Sequence, residues 1–183
     1  MKYFQELPPE YSGGIGKEGV KNLTSFVEKG GTLIALASAC GFIIDEFNVP
    51  VSNIFTKTRN DEFQCPGSLL NILIDPTHPV TYGMPSSAAA FIDGRIAFQT
   101  TLPGSELTRQ VLAWYPEDAE DILLSGWIQG AEKLQRKAAA VALSYGKGKI
   151  VLLGFRVQHR AQTEGTFKLL FNAIQWGGMT EDK

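Results

Sequence analysis

A chain of 183 residues with 44% hydrophobic and 20% charged residues is long enough for one domain with a real core, and its composition is that of an ordinary globular protein. A net charge of −2 gives no electrostatic case for binding nucleic acid or an anionic membrane, so neither is expected as a partner. No apolar run approaches the length of a bilayer span, and Met1–Pro9 lacks the apolar core of a secretory leader. The latter point concerns this chain only, because an upstream portion could carry a leader, and localisation stays open.

In chain order, residues 1–16 read as a Pro- and Gly-rich loop. Val20, Leu23, Phe26 and Val27 then fall at helical spacing, which predicts a helix over residues 18–29 stopped by Gly30-Gly31. Thr32–Ala37 reads as a short buried parallel strand, and Phe42–Phe47 as a short helix ended by Asn48-Val49-Pro50. Leu69–Ile74 is a strand closed by Asp75-Pro76, and Phe63–Ser68 is the turn that opens it, with Cys65 packed inside. Asp93-Gly94, between Phe91-Ile92 and Ile96-Phe98, is a hairpin signal. Val111–Tyr115 and Ala138–Ser144 are further strands, the second joined to Ile150–Phe155 by a glycine-bearing hairpin. The spacing of Phe167, Leu170, Phe171 and Ile174 marks the inner face of a closing helix. Residues 177–183 read as a flexible tail. Together these elements predict a single α/β domain over residues 1–183 with a mixed sheet. Because the chain opens in a loop before a helix, it is expected to lack the strands that normally begin such a domain, with self-association through the uncovered edge.

Several segments taken together resemble a known family. They are Leu7–Gly16, Gly30–Leu36, Cys65–Leu70, His78-Pro79 with Tyr82–Pro85, Leu124–Trp127, and Gly154–Arg156 through Asn172. This ordered set is similar to the C-terminal domain of bacterial M14-type zinc carboxypeptidase-like proteins. The resemblance implies a flavodoxin-like, class I glutamine amidotransferase-like layered fold. It also implies a peptidase domain of a larger parent as partner, and a parent that is secreted or periplasmic. The zinc chemistry does not carry over. That family's site needs a His-x-x-Glu pair, but Pro79-Val80-Thr81 follow His78 and Arg160-Ala161-Gln162 follow His159. No metal site and no cofactor are expected.

Amidotransferase-like folds place a cysteine in a Gly-x-Cys-x-Gly turn, where the glycines permit a strained strand-to-helix elbow. If Ile43-Ile44 match the elbow helix, the nucleophile position falls on Ser38, flanked by Leu36 and Cys40. If Cys40 is the nucleophile, Ser38 and Phe42 take the glycine positions. Neither register has the glycines. His159 stands where the base is wanted, but Ala161 replaces the Glu of His-x-Glu, and only Glu164 lies near. Gly14-Ile15-Gly16-Lys17-Glu18-Gly19 fits GxGxxG but lacks the preceding strand that a dinucleotide site needs. Arg156, His159 and Arg160 form a basic loop that either binds an anion or braces the turn by pairing with carboxylates. Trp114, Tyr115 and Trp127 read as core or interdomain surface before a sugar platform, and Cys40 and Cys65 as two packed thiols before a disulfide. The primary expectation is a non-catalytic accessory domain serving domain packing or substrate presentation. The alternative is an anion-binding domain using Arg156, His159 and Arg160, followed by an amidohydrolase-type enzyme using Cys40 or Ser38.

Overall fold

The computed structural model describes residues 13–102 and 107–179. The reading of residues 1–12 as a loop, the Leu7–Ser12 part of the resemblance, and the last four residues of the tail lie outside that range.

The chain opens with α1 (Gly16–Glu28), β1 (Thr32–Leu36), α2 (Ala39–Glu46) and β2 (Val51–Asn53). There follow β3 (Pro66–Ile74), β4 (Ser87–Asp93), β5 (Phe98–Thr100), β6 (Arg109–Trp114) and β7 (Leu123–Ser125). It closes with β8 (Ala138–Tyr145), β9 (Gly148–Leu153) and α3 (Glu164–Gly177). The main sheet runs β1-β9-β8-β6-β3-β4, with β7 laid on β3 and the β2/β5 pair joined to β8 at Phe98 and Ala138. Only β1 and β9 pair in parallel among the described strands, with Ile34 opposite Val151. The sheet is therefore mixed, in an α/β layered domain.

Alternation along β9 sorts the layers. Ile150 and Leu152 join Val27, Ile43 and Phe47, so α1 and α2 cover one face. Val151 and Leu153 join Leu169 and Ala173, so α3 covers the other. α1 ends as expected at the glycine pair: Gly30 takes φ +114°, and the Gly31 N–H returns to the Phe26 carbonyl at 2.9 Å. Beside it, the β8–β9 hairpin turns through Gly146-Lys147 under the end of α1. A Cβ on Gly148 would lie 2.0 Å from the Val27 oxygen, so only glycine lets helix and hairpin approach this closely.

Two expectations give way. Asp93-Gly94 does not make a hairpin: β4 pairs with β3, and β5 pairs with β2 and β8. Asn53 is the cause. Its amide donates to the Arg95 carbonyl at 2.9 Å and its oxygen accepts from Ala97 at 3.4 Å, which draws residues 95–97 onto the end of β2. The buried face of α3 also differs. Thr166, Leu169 and Ala173 point inward, whereas Phe171 and Ile174 are 60% and 57% exposed. Polar anchors set this rotation. The Thr166 hydroxyl donates to Val157, and the Asn172 amide donates to the Val80 and Tyr82 carbonyls. These bonds outrank an apolar spacing that would have fitted a different turn of the helix.

Candidate functional site

Two connections leave the carboxyl ends of the parallel pair, and a cleft of about 510 Å³ lies between them. Leu36, Ala37 and Ser38 form one wall, and Arg156, Gln158, His159 and Arg160 the other, with Asp93 at the rim. This is where an open α/β sheet places its ligands.

The first wall is the strand-to-helix elbow. Its strained residue is Ala37, at φ +48°, one position before Ser38. An alanine carries a steric cost in this left-handed region that glycine avoids, and the tight β1–α2 turn holds it there through the Ala37 N–H to Leu153 carbonyl bond at 2.8 Å. The residue presented at the sharpest point of the elbow thus carries only a methyl group. Ser38 follows as the exposed N-cap of α2, in ordinary helical geometry and with no capping bond from its side chain. Cys40 faces the opposite way. It is fully buried, and its sulfur lies 3.4 Å from the carbonyls of Ala35 and Leu153. Burial raises its pKa to about 12, against a partial lowering by the Leu153 contact, so it is a neutral thiol. Cys65 is a second free, buried thiol raised by the same cause, and no disulfide joins the two.

The second wall follows from the alternation after β9. Phe155 and Val157 are buried, so Arg156 and Gln158 between and beyond them project outward. The Arg156 N–H bonds the Phe91 carbonyl at 3.1 Å, and its guanidinium meets Asp93 at 3.0 Å. With side-chain exposures of 48% and 40%, that pair is a solvated brace worth on the order of 0–1 kcal/mol. His159 stacks face to face on Phe91, with centroids 3.9 Å apart and planes 2° from parallel. No hydrogen bond joins His159 to Ser38 or Cys40, and Glu164 lies a turn beyond it, in the first turn of α3. Arg160 and Ala161 both take left-handed backbone, at φ +48° and +57°, which turns the loop and leaves the Arg160 side chain in solvent. Arg160 makes no ion pair among the described residues.

The structure therefore brings Ser38, Arg156, His159 and Arg160 to one cleft and leaves Cys40 outside it. Sequence reasoning misses three members. In the sequence Asp93 reads only as a turn residue, Phe91 only as strand, and Ala37 only as the last residue of the expected strand Thr32–Ala37. The elbow signal falls one residue out because it rests on Ile43-Ile44, and no glycine marks the strained position. Of the other residues singled out, Tyr115 is fully buried in the core and Trp127 is 50% exposed beside β7. Gly16 opens α1, and the strand a dinucleotide fingerprint would need falls among residues outside the described range. His78 lies at the other end of the sheet and shares no cavity with His159. Among the described residues, no cluster of three or more His, Cys, Asp or Glu is placed to hold a metal ion, and no helix is long and apolar enough to cross a membrane.

No protein-family model and no curated protein matches this chain. Its fold is that of the class I glutamine amidotransferase-like domains. A GMP synthase-like protein from Thermoplasma acidophilum aligns with TM-score 0.53 at 9% identity, over 88% of this chain and 65% of that one. A ThuA-like protein from Bacteroides uniformis aligns with TM-score 0.50 at 16% identity, over 91% of this chain and 66% of that one. A β-galactosidase from Bacillus circulans sp. alkalophilus contains the same fold within a larger chain, with TM-score 0.54 at 14% identity over 90% of this chain and 21% of that one. The chain thus spans just under two thirds of the first of these structures, and likeness at such identities defines architecture alone.

Proposed function

We propose that this chain is a non-catalytic amidotransferase-like module, an accessory domain of a zinc carboxypeptidase-like protein that serves domain packing or substrate presentation. The observation that carries the non-catalytic part is Ala37 at the elbow. The covalent chemistry of such a fold needs a nucleophile there, with a base in hydrogen-bond reach and an acid to orient the base. Here the elbow has a methyl group, the one nearby cysteine is a sealed thiol, and the histidine is clamped on Phe91. The carboxypeptidase part rests on the ordered motifs from Gly30-Gly31 to Asn172. Its test is the coding sequence upstream of Met1 together with the parent's activity. A domain with His-x-x-Glu and a distant second His is expected there, and deleting residues 1–183 should raise the KM for peptide while leaving kcat within about twofold. An upstream region with no such domain overturns the assignment.

One observation favours a second use of the same cleft. Arg160 is exposed on its wall without a carboxylate partner among the described residues, across the cleft from Ser38 at the start of α2. This supports binding of a small anion by Arg156, His159 and Arg160. Phosphate or citrate titrated into the protein should perturb residues 37–41 and 156–160 and lose that effect in Arg160→Ala. Perturbation that persists in the variant contradicts it.

A further inference from the structure

A second groove lies at the amino end of the parallel pair, away from the elbow, and shares no lining residue with the elbow cleft. It has two lobes. One, of about 390 Å³, is walled by Pro76, Pro79, Tyr82 and Gln175. The other, of about 620 Å³, runs past Gln110, Ala142, Lys147 and Lys149. His78, Trp176 and Met179 line both, so the lobes are continuous. The combined size is that of a small-molecule site.

The lobes differ in chemistry. The first is apolar and aromatic, and its rim leaves Tyr82 78% and Met179 60% exposed. The second is basic. Lys149 is held in place by donating to the Trp176 and Met179 carbonyls at 3.0 and 2.9 Å, with its ammonium 4.7 Å from the Trp176 ring centre. Lys147 is exposed on the hairpin turn. Among the described residues, no carboxylate lines either lobe. Asp75, next to the lining residue Pro76, is already engaged by the Thr77 N–H and hydroxyl and by the Gln110 amide.

Between the lobes sits His78, only 8% exposed. Its Nδ1 accepts the Val80 N–H at 3.1 Å, so the neutral ring carries its proton on Nε2. That donor has no protein partner among the described residues, although its ring lines both lobes and packs edge-on against Trp176 at 4.6 Å. At the junction of an apolar and a basic lobe, this donor is available to an acceptor that enters the groove.

We propose that this groove binds a small carboxylate with an aromatic body. The ring packs in the Pro79/Tyr82/Trp176 lobe, and the carboxylate lies toward Lys147 and Lys149 with the His78 Nε2–H at the junction. The site is independent of the elbow cleft and of any catalytic role. It is tested by titrating phenylacetate, and separately phenylacetamide, into the ¹⁵N-labelled chain. Phenylacetate should shift the amides of residues 76–82, 144–149 and 172–179 saturably, with millimolar affinity. Phenylacetamide should bind at least about threefold more weakly for want of the charge. Tyr82→Ala and Lys147→Ala, both at exposed positions, should each weaken phenylacetate about three- to fivefold, and Arg160→Ala should change nothing. Four results overturn the proposal: no saturable shift by ~20 mM, equal binding of acid and amide, shifts confined to residues 37–41 and 156–160, or indifference to both groove variants.

Discussion

The Cys40 thiol offers a sharp test of the elbow, because its environment fixes its reactivity by a large factor. Only the thiolate attacks a disulfide reagent. With a pKa of about 12, Cys40 is ionised in about one molecule in ten thousand at pH 8, against about one in four for an ordinary thiol near 8.5. Ionisation alone therefore slows native Cys40 by about 2,000-fold, and the absence of exposed surface lowers the rate further. Cys65, 3% exposed and also shifted upward, should be protected in the same way. The assay is the reaction of native protein with an aromatic disulfide at pH 8, followed by guanidinium. Less than about 0.1 thiol per chain should react over minutes in the native state, and both thiols promptly after unfolding. A full equivalent released within seconds from native protein, lost in Cys40→Ser, would refute the placement of Cys40 and revive it as a nucleophile.

Gly148→Ala should cost more than about 3 kcal/mol in urea unfolding, because its Cβ would meet the Val27 and Gly31 oxygens at 2.0 and 2.3 Å, and both belong to backbone. Ala37→Gly should act in the opposite sense and stabilise by about 1 kcal/mol, since it relieves a left-handed alanine; a loss of stability would mean that the elbow is not strained. Acid sensitivity should follow His78 and then Asp75. Burial lowers the His78 pKa below 6.5, so the unfolded chain binds the proton more readily; stability is full above pH 6.5 and falls as pH drops from there toward the folded pKa. Bonds from Thr77 and Gln110 lower the Asp75 pKa below 3.8, so its contribution is present above that value and is lost on further acidification. His78→Gln should flatten the first phase in a pH series of thermal melts, and an unchanged slope would contradict it.

The closing β9–loop–α3 unit was legible because its signals are local. Glycines bound the apolar run 150–155, and the hairpin through Gly146-Lys147 and the stop at Gly30-Gly31 follow from backbone needs that the residues themselves state. The misreadings arose where distant polar groups decide. Asn53 reaches across more than forty residues to claim the segment after Gly94, and Thr166 and Asn172 rotate α3 against its own apolar spacing. At the site, the basic residues and their place at the sheet's carboxyl end could be read from sequence, but the Phe91 stack, the Asp93 brace and the strained Ala37 could not. Each of those three depends on pairings between strands far apart in the chain or on a φ value that no residue type announces.

Ammonia release from glutamine tests the proposed absence of catalysis most directly, because it reads the covalent chemistry of the amidotransferases whose fold this chain resembles. With an alanine at the strained position and, among the described residues, no base hydrogen-bonded to Ser38, the wild-type chain should release no more ammonia than buffer, and Ser38→Ala, Cys40→Ser and His159→Ala should be indistinguishable from it. Saturable turnover that disappears in Ser38→Ala or His159→Ala would contradict the account.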